Sequence, residues 1–303
     1  MLRSALLGAA DNRTLRRFMY RHGMSLGARR FVAGETLGEF LAVVRKVNAQ
    51  GLGVACGLLG EGVGDRADTS DVVREYRKIL TAFAAEGLRS NVALKLTHLG
   101  LAIDPELARE NLIAVVEHAR SFGNFVRVDM EQSAYTDATL CIYRSLRTAG
   151  HDKVGMVLQA YLRRSEDDLR SLFALEPNLR LVKGAYLEPV SIAYQKKADV
   201  DRAYVRMIEA ALMRNPFTAI ATHDHVVIEH ALAFIKLHAI PEERFEFQML
   251  YGVRPKLQAE LLARGHKVRL AVPFGSQWYP YLMRRLAERP ANVLFIARNM
   301  FRQ

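Results

Sequence analysis

Residues 179–182 form a short apolar run whose flanking residues suggest a binding site. Arg180 interrupts the run, and Lys183-Gly184-Ala185 follows it. A buried cation is unfavourable without an anionic or electron-rich partner, so Arg180 and Lys183 each require one. Gly184 and Ala185 carry little side-chain bulk, which lets another group approach the backbone closely. The segment therefore predicts a buried strand that ends in a small-residue turn.

Comparable polar residues end other apolar runs of the chain. They are Lys95, Asp129, Gln159, Thr222, His223, Asp224 and Gln248; Met249-Leu250 follows Gln248, and the segment 273–275 follows the last run. Any one of them is compatible with an ordinary residue at a solvent-exposed rim. Lysine, aspartate, glutamine and histidine together are too polar for packing, so jointly they predict a functional site.

The segment YLMRRLAE, residues 281–288, places two guanidinium groups side by side on a predicted helix. Adjacent helical residues are ~100° apart, so Arg284 and Arg285 cannot both point fully to solvent if one face packs. Glu288 stands four residues after Arg284, the spacing of an ion pair that fixes a rotamer. With Lys95, the two arginines would bind a carboxylate or a phosphate. The alternative is a solvated basic helix face.

These residues need elements that bring them together, and the chain shows eight apolar strand candidates with amphipathic helices between them. The candidates are residues 52–58, 91–97, 125–130, 154–161, 179–185, 218–223, 245–250 and 268–273. Eight β-then-α units predict a (β/α)8 barrel, in which functional residues lie at the carboxyl ends of the strands. A Rossmann fold is disfavoured because no strand is followed by GxGxxG.

Helix start and stop signals support this reading. Thr36 is expected to cap a helix that runs to about Ala49. Starts are also predicted at Thr69-Ser70-Asp71, at Asp104-Pro105 and at residues 164–167, and ends at Gly87, Gly123, Gly150 and Gly265. With no low-complexity linker, the prediction is a single domain over residues 1–303, comprising a basic helical arm (1–34) and the barrel (35–303).

Composition bounds the function class. The 303 residues carry 43 Lys and Arg against 32 Asp and Glu, a formal net charge of +11, and 50% are hydrophobic. The cations are scattered and no zinc-finger or RNP signature occurs, which argues against nucleic-acid binding.

Cys56 and Cys141 are far apart, as expected of a reducing compartment without disulfides or a thiolate metal site. No run approaches the ~18 apolar residues of a membrane span, so we expect a cytoplasmic protein, soluble or peripheral to a membrane. The arm could touch anionic lipid, but packing on the barrel is favoured.

Eight strings carry a resemblance to a known family. They are VALKLTHLG (92–100), VRVDMEQS (126–133), VLQAYLRR (157–164), RLVKGAYLE (180–188), ATHD (221–224), FQMLYG (247–252), VPFG (272–275) and YLMRRLAE (281–288). In this order and spacing the chain resembles the monofunctional bacterial proline dehydrogenases, from about residue 30 to the C-terminus. It is also similar to the proline dehydrogenase domain of the bifunctional proline-utilisation flavoenzymes.

The resemblance implies a distorted barrel with short N-terminal helices, non-covalent FAD at the strand ends and the last helix over the active site. It implies oxidation of L-proline to Δ1-pyrroline-5-carboxylate by hydride transfer to flavin N5, with electrons passed to a quinone, as the first step of proline catabolism to glutamate. The resemblance suggests two further partners. One is the inner face of the membrane, through a peripheral contact, and the other is a pyrroline-5-carboxylate dehydrogenase.

Residue roles also follow from the resemblance. Lys95, Arg284 and Arg285 would hold the proline carboxylate, with Glu288 pairing with Arg284. Asp129 would be the acidic active-site residue and Arg180 would sit near flavin N5. The expected flavin-lining residues are Met130, Gln159, Lys183, Gly184, Ala185, Thr222, His223, Gln248 and Leu250.

Three positions depart from the family pattern. Ala271 stands where a substrate-packing Tyr is usual, so the substrate pocket should be larger and discrimination against hydroxyproline is open. Asp224 occupies a position that is often Asn, and Leu187 one that is often aromatic. Both positions are expected to lie at the cofactor, so these residues bear on how the protein tunes the cofactor.

Other functions remain alternatives at this stage. The strongest is a Schiff-base aldolase on the same barrel, with Lys95 or Lys183 as nucleophile and the paired arginines binding a phosphorylated sugar. A metal-dependent hydrolase would use His223, Asp224 and His225, but it needs ligands from other strands, and Asp129 is the obvious one; no metal site is expected. A basic lipid- or nucleic-acid-binding module would bind in a strongly salt-dependent way.

Overall fold

The computed structural model describes residues 17, 19–21, 23–25, 27–60 and 63–288, with side chains up to residue 283. Residues 1–16 of the predicted basic arm lie outside this part. The division of the chain into an arm and one barrel domain stays a prediction.

Eight parallel strands close into a barrel in chain order, and β1 pairs with β8 to complete the ring. The strands are β1 Gly53–Leu58, β2 Ser90–Lys95, β3 Val126–Asp129, β4 Val154–Gln159, β5 Asn178–Val182, β6 Phe217–Ala221, β7 Phe245–Leu250 and β8 Val268–Phe274. The predicted (β/α)8 barrel is confirmed. Strands β2, β4, β5 and β6 end two or three residues earlier than predicted, so several polar residues lie in the loops that follow them.

Helices precede β1 and follow the strands. They are α1 Leu37–Ala49, α2 Arg66–Ala85, α3 Pro105–Ser121, α4 Thr136–Thr148, α5 Ser165–Leu172, α6 Lys197–Arg214, α7 His225–Leu237, α8 Pro255–Ala263 and α9 Trp278–Glu288. Short 3-10 helices occur at Ala28–Arg30, Leu96–Leu99, Ser133–Tyr135, Phe173–Leu175 and Glu242–Arg244. No helix in the described part of the chain is both long and apolar enough to cross a membrane.

Two predicted helix starts are confirmed by their capping hydrogen bonds. Thr36 Oγ1 accepts from the Glu39 amide at 3.3 Å, and Glu39 Oε2 accepts from the Thr36 amide at 3.2 Å. This reciprocal pair is a capping box and begins α1. Asp104 caps α3 by accepting from the Glu106 amide at 3.0 Å, with Pro105 at the first helical position. Helix α5 begins at Ser165, inside the predicted start segment.

The predicted start at Thr69-Ser70-Asp71 is wrong. Helix α2 begins at Arg66, and its cap is Asp65, whose side chain accepts from the Ala67 amide at 2.9 Å. Thr69 lies within the helix, where its hydroxyl donates to the Arg66 carbonyl at 2.7 Å. A threonine hydroxyl can bond back to the preceding turn as well as cap a helix, so its identity alone does not locate the start. The predicted end glycines do follow their helices with positive φ: Gly87, Gly123, Gly150 and Gly265.

The two faces of the strands differ in character. Outward side chains such as Cys56, Ile220 and Val272 are fully buried beneath the helices. Arg180 on β5 contacts Asp129 on β3 and Gln248 on β7. Neither strand adjoins β5, and the two lie on opposite sides of it, so this face points into the barrel. The barrel interior is therefore partly charged, unlike the apolar packing usual for this fold.

The last helix has a small core of its own. Trp278, Tyr279 and Leu282 of α9 pack with Ala28 and Val32 from the segment before α1. The Trp278 indole donates to Glu35 Oε1 at 2.6 Å. This contact between the two ends of the described chain agrees with the prediction that the arm packs on the barrel, as far as its described residues extend.

Candidate active site

The predicted polar residues meet at one rim of the barrel. Lys95, Asp129 and Gln159 are the last residues of β2, β3 and β4, and Lys95 is the register partner of Asp129. Lys183 directly follows β5, and Thr222 directly follows β6. Parallel strands bring all their carboxyl ends to the same side, where barrel enzymes carry their active sites.

Arg180 is the buried cation at the centre of this rim. Its side chain is 9% exposed, forms an ion pair with Asp129 through Nη2, and donates from Nη1 to Gln248 Oε1 at 3.2 Å. Burial, reinforced by the positive charge of Arg127, lowers the pKa of Arg180 to about 9. The guanidinium is still protonated at neutral pH, so it supplies a fixed positive charge at the inner end of the site. Its Nε atom has no hydrogen-bond partner among the described residues.

Three further charged residues of the interior were missed from the sequence. Glu246 is buried and accepts from Gln248 Nε2 at 2.6 Å and from Arg269 Nε at 2.8 Å. Arg127 donates to the Asn178 carbonyl at 2.7 Å, and burial lowers its pKa to about 10. The third is Arg269. Glu246, Arg127 and Arg269 stand two residues before Gln248, Asp129 and Ala271 in their strands, and strand residues i and i+2 share a face. That spacing is the signal that could have identified them.

Glu131 is another buried carboxylate that sequence reasoning missed. Its side chain accepts from the Thr97 amide at 3.0 Å and from Thr97 Oγ1 at 2.6 Å. Its carbonyl accepts from Gln159 Nε2 at 2.8 Å, which fixes the Gln159 amide beside the buried Met130. Glu131 therefore ties the ends of β2, β3 and β4 together at the rim.

Lys183 lies between two carboxylates. Its ammonium donates to Asp201 Oδ1 at 2.6 Å and to Asp224 Oδ2 at 2.9 Å. The hydrogen bond from Lys183 is the main reason that the pKa of Asp224 lies below its ordinary range. Asp224 also caps α7 through the Val226 amide at 3.2 Å. The sequence did not identify Asp201, which comes from α6.

Gly184 has the steric role that its position suggested. Its φ is +98°, and a Cβ atom built there would lie 2.1 Å from Cδ1 of Tyr161. The group that approaches this backbone in the structure is therefore the buried Tyr161 ring. Ala185 and Leu187 follow in the same loop and are exposed.

The β6–α7 turn is held by hydrogen bonds. Thr222 Oγ1 accepts from the Asp224 amide at 3.1 Å, and His223 Nε2 accepts from the Leu250 amide at 2.9 Å. The accepting Nε2 carries no proton in this arrangement. No group of three or more His, Cys, Asp or Glu side chains within the described ranges is placed to hold a metal ion.

The mouth of the barrel is lined by small residues. Ala271 is the register partner of Ala55 and Leu250, and Gly57 that of Ala93. The inward-facing Gly57, Ala221 and Ala271 are partly exposed, although the outward residues just before them, Cys56, Ile220 and Leu270, are buried. The inward side of the mouth is therefore formed by small residues, some of which retain solvent exposure.

The remaining predicted residues lie on α9. Arg284, Arg285 and Glu288 belong to this helix, which follows β8 and so begins on the same side of the barrel as the rim. Their side chains are outside the described part of the structure. The predicted carboxylate contacts and the Arg284–Glu288 pair accordingly stay predictions.

Comparison with known proteins identifies the family. A family model described as proline dehydrogenase matches residues 40–298. Proline dehydrogenase 1 of Bacillus subtilis strain 168 is 40% identical over 303 residues, which cover 100% of both chains. The chain belongs to the proline dehydrogenase family. The proline dehydrogenase of Deinococcus radiodurans is 39% identical over 279 residues, 91% of this chain and 90% of its own.

The fold comparison points the same way. Proline utilization A from Bdellovibrio bacteriovorus, in a structure inactivated by N-propargylglycine, matches with a TM-score of 0.80 at 23% identity. The match covers 93% of this chain and 38% of that one. The predicted similarity to both the monofunctional and the bifunctional proteins is confirmed. As a proline dehydrogenase the chain is an oxidoreductase of proline catabolism, and its family implies a flavin cofactor.

The aldolase alternative finds no support. A lysine nucleophile is activated by a desolvated apolar pocket or by a neighbouring cation. Lys183 instead contacts two carboxylates, and Lys95 ends its strand beside Asp129. The relatives found are proline dehydrogenases and proline-utilisation proteins.

Proposed function

We propose that this proline dehydrogenase binds FAD in the barrel mouth and oxidises L-proline to Δ1-pyrroline-5-carboxylate, with a quinone as electron acceptor. This would be the first step of proline catabolism toward glutamate. The observation that carries the proposal is Arg180, a buried cation with an unpartnered Nε inside a barrel whose rim carries small, partly exposed residues. A cation beside a flavin stabilises the negative charge that the ring gains on reduction.

The donors and the space at the rim suit a flavin dinucleotide. Arg180 offers a buried N–H without a partner, and partly exposed Gly57 and Ala271 leave room for a flat ring. We infer that the cofactor is lined by Met130, Gln159, Lys183, Gly184, Ala185, Leu187, Thr222, His223, Asp224, Gln248 and Leu250. The backbone amides after β5 are of the kind that bind phosphate.

Substrate binding would rest on three cations. Lys95, Arg284 and Arg285 would hold the proline carboxylate, with Glu288 orienting Arg284. When bound, FAD would accept the hydride of proline C5 at its N5 atom. The chain's own contribution is to fix the pyrrolidine ring so that C5 faces that atom and to exclude water. We assign no protein base, because a proline amine that binds neutral needs none.

Electron transfer would follow at the open side of the mouth. Leu187 and Val190, in the loop after β5, are 72% and 65% exposed and offer an apolar surface that suits a quinone. A peripheral contact with the inner face of the membrane would bring the quinone there. A pyrroline-5-carboxylate dehydrogenase would consume the product.

An absorbance spectrum of the purified chain tests this function. We expect a visible flavin band that bleaches when proline is added without oxygen and returns when a soluble quinone is supplied. Chromatography of the acid-released cofactor should identify FAD rather than FMN. A colourless chain that neither takes up FAD nor reacts with proline would contradict the proposal. Borohydride inactivation in the presence of a sugar phosphate would favour the aldolase instead.

A further inference from the structure

The orientation of one buried amide controls what Arg180 meets inside the barrel. Gln248 Oε1 accepts from Arg180 Nη1 at 3.2 Å, while its Nε2 faces the opposite way. A glutamine amide has a donor end and an acceptor end of nearly the same shape. If the amide turned over, its NH2 group would face a guanidinium that can only donate, and Arg180 would lose this hydrogen bond.

Glu246 is the residue that prevents this. Its Oε1 accepts from Gln248 Nε2 at 2.6 Å and from Arg269 Nε at 2.8 Å, and the residue is 5% exposed. An ionised carboxylate only accepts hydrogen bonds, so the end of Gln248 that faces it must be the NH2 group. Arg269 is held in turn by the Val54 carbonyl at 3.1 Å, which keeps Glu246 in place.

We propose that Glu246 is a positioning residue for proline oxidation, which acts through Gln248 to hold Arg180 in its working orientation. Arg269, Glu246, Gln248, Arg180 and Asp129 form one chain of hydrogen bonds across β8, β7, β5 and β3. Asp129 contacts one nitrogen of the guanidinium and Gln248 another, so the two contacts together fix its plane. The inference rests on the proposed role of Arg180 beside the flavin.

A different account would treat Glu246 only as a nearby negative charge. The side chains of Arg127, Arg180 and Arg269 carry three positive charges in the interior, opposed by Asp129 and Glu246. In that account only the charge of residue 246 matters. In the positioning account, both its charge and the reach of its oxygen atoms matter.

Two substitutions separate these accounts. Glu246→Asp keeps the charge but withdraws the carboxylate by one methylene, whereas Glu246→Gln keeps the shape but loses the charge. Glu243→Gln, at an exposed residue just before β7, is the matched control for net charge. Each variant is purified with bound flavin, and kcat, KM for proline and the flavin reduction potential are measured.

We expect both Glu246 variants to lose about tenfold in kcat, since a small misplacement near the reacting atoms can cost up to 100-fold. KM for proline should change less than about twofold, because Arg180 is outside the proposed carboxylate site. The potential of Glu246→Asp should fall by about 30 mV, which corresponds to a tenfold change for a two-electron couple. In Glu246→Gln the loss of a buried negative charge raises the potential and opposes this fall, so the potential of Glu246→Asp is the one that tests positioning. Glu243→Gln should match the parent. A Glu246→Asp enzyme with parental kcat and potential would overturn the inference.

A second background tests whether the effect passes through Gln248. In Gln248→Met there is no amide to orient, so adding Glu246→Asp should change kcat by less than about twofold. An undiminished tenfold loss in that background would also overturn the inference. The proposed function is tested separately by the parent enzyme, because a parent without flavin contradicts that function and not the role of Glu246. Glu246→Asp variants that unfold earlier but keep kcat and potential would assign Glu246 to stability alone and refute positioning.

Discussion

Replacing Gly184 by alanine tests how tightly the turn after β5 is built. The φ of Gly184 is +98°, and a Cβ atom there would lie 2.1 Å from Cδ1 and 2.5 Å from Cε1 of Tyr161. Real Cβ atoms do not approach other heavy atoms so closely, so the ring or the turn must move. Tyr161 is 7% exposed, and its own amide is bound to the Lys183 carbonyl at 2.9 Å. The ring therefore has little freedom to yield.

The expected cost has two parts. Forcing a side chain into the left-handed region costs about 1–2 kcal/mol. Overpacking a well-filled site typically costs about 1–3 kcal/mol more, so Gly184→Ala should destabilise the fold by about 2–5 kcal/mol. Gly150→Ala is the matched control, because Gly150 has a φ of +88° and no heavy atom within 4 Å of the added Cβ. It should show only the backbone part, about 1–2 kcal/mol.

Urea unfolding followed by circular dichroism measures both variants under identical conditions. We expect the midpoint of Gly184→Ala to fall further than that of Gly150→Ala, with an unchanged m-value. The extra loss should shrink when Tyr161→Ala is added, because the overlapping ring is then gone. Equal losses for the two glycine variants would falsify the steric reasoning, and so would an extra loss that survives removal of the ring.

Two further predictions concern the mouth. Ala271→Tyr should lower KM for proline, because an aromatic ring would fill the space beside Leu250; an unchanged or higher KM in steady-state kinetics would argue against a substrate-packing role at this position. Asp224→Asn should change the pH dependence of stability. Lys183 lowers the pKa of folded Asp224 below its ordinary 3.8, so the carboxylate contributes stability above that value and the contribution is lost as pH falls through the folded pKa. The difference in unfolding free energy between the parent and Asp224→Asn should therefore be constant near neutral pH and shrink in acid. The exposed Asp152→Asn should show little difference at any pH. An Asp224→Asn difference that does not shrink as the pH is lowered would contradict this reasoning.

Much of the barrel could be predicted because its determinants are local. The apolar runs gave eight strands in the right order, since hydrophobic periodicity is set by each segment's own residues. Thr36 and Asp104 predicted helix starts because a cap bonds to an amide only two or three residues away. Thr69 misled for a related reason, since the hydroxyl of a helical threonine has another local partner. The ends of β2 and β4 were placed too late because apolar residues, Leu96 and Ala160-Tyr161, continue into the turns.

The residue types at the rim also followed from the sequence, once a parallel barrel was assumed. Lys95, Asp129 and Gln159 end neighbouring strands as expected. The string resemblance identified the family, and a relative of 40% identity over the whole chain agrees with it. Both inferences depend on the order of residues along the chain, which a sequence contains in full.

Contacts between separate elements were decided only by the tertiary structure. Asp201 meets Lys183 from a helix 18 residues further on, and Glu246 reaches Arg269 23 residues away. Neither contact repeats with a local period, because one depends on how α6 lies beside the end of β5 and the other on the register of β8 against β7. A hydrogen bond requires donor and acceptor within about 3 Å, and that distance exists only after the separate elements have packed together. The amino-acid sequence thus determined the elements and the chemistry available at their ends, whereas closure of the barrel determined which charges share an interior.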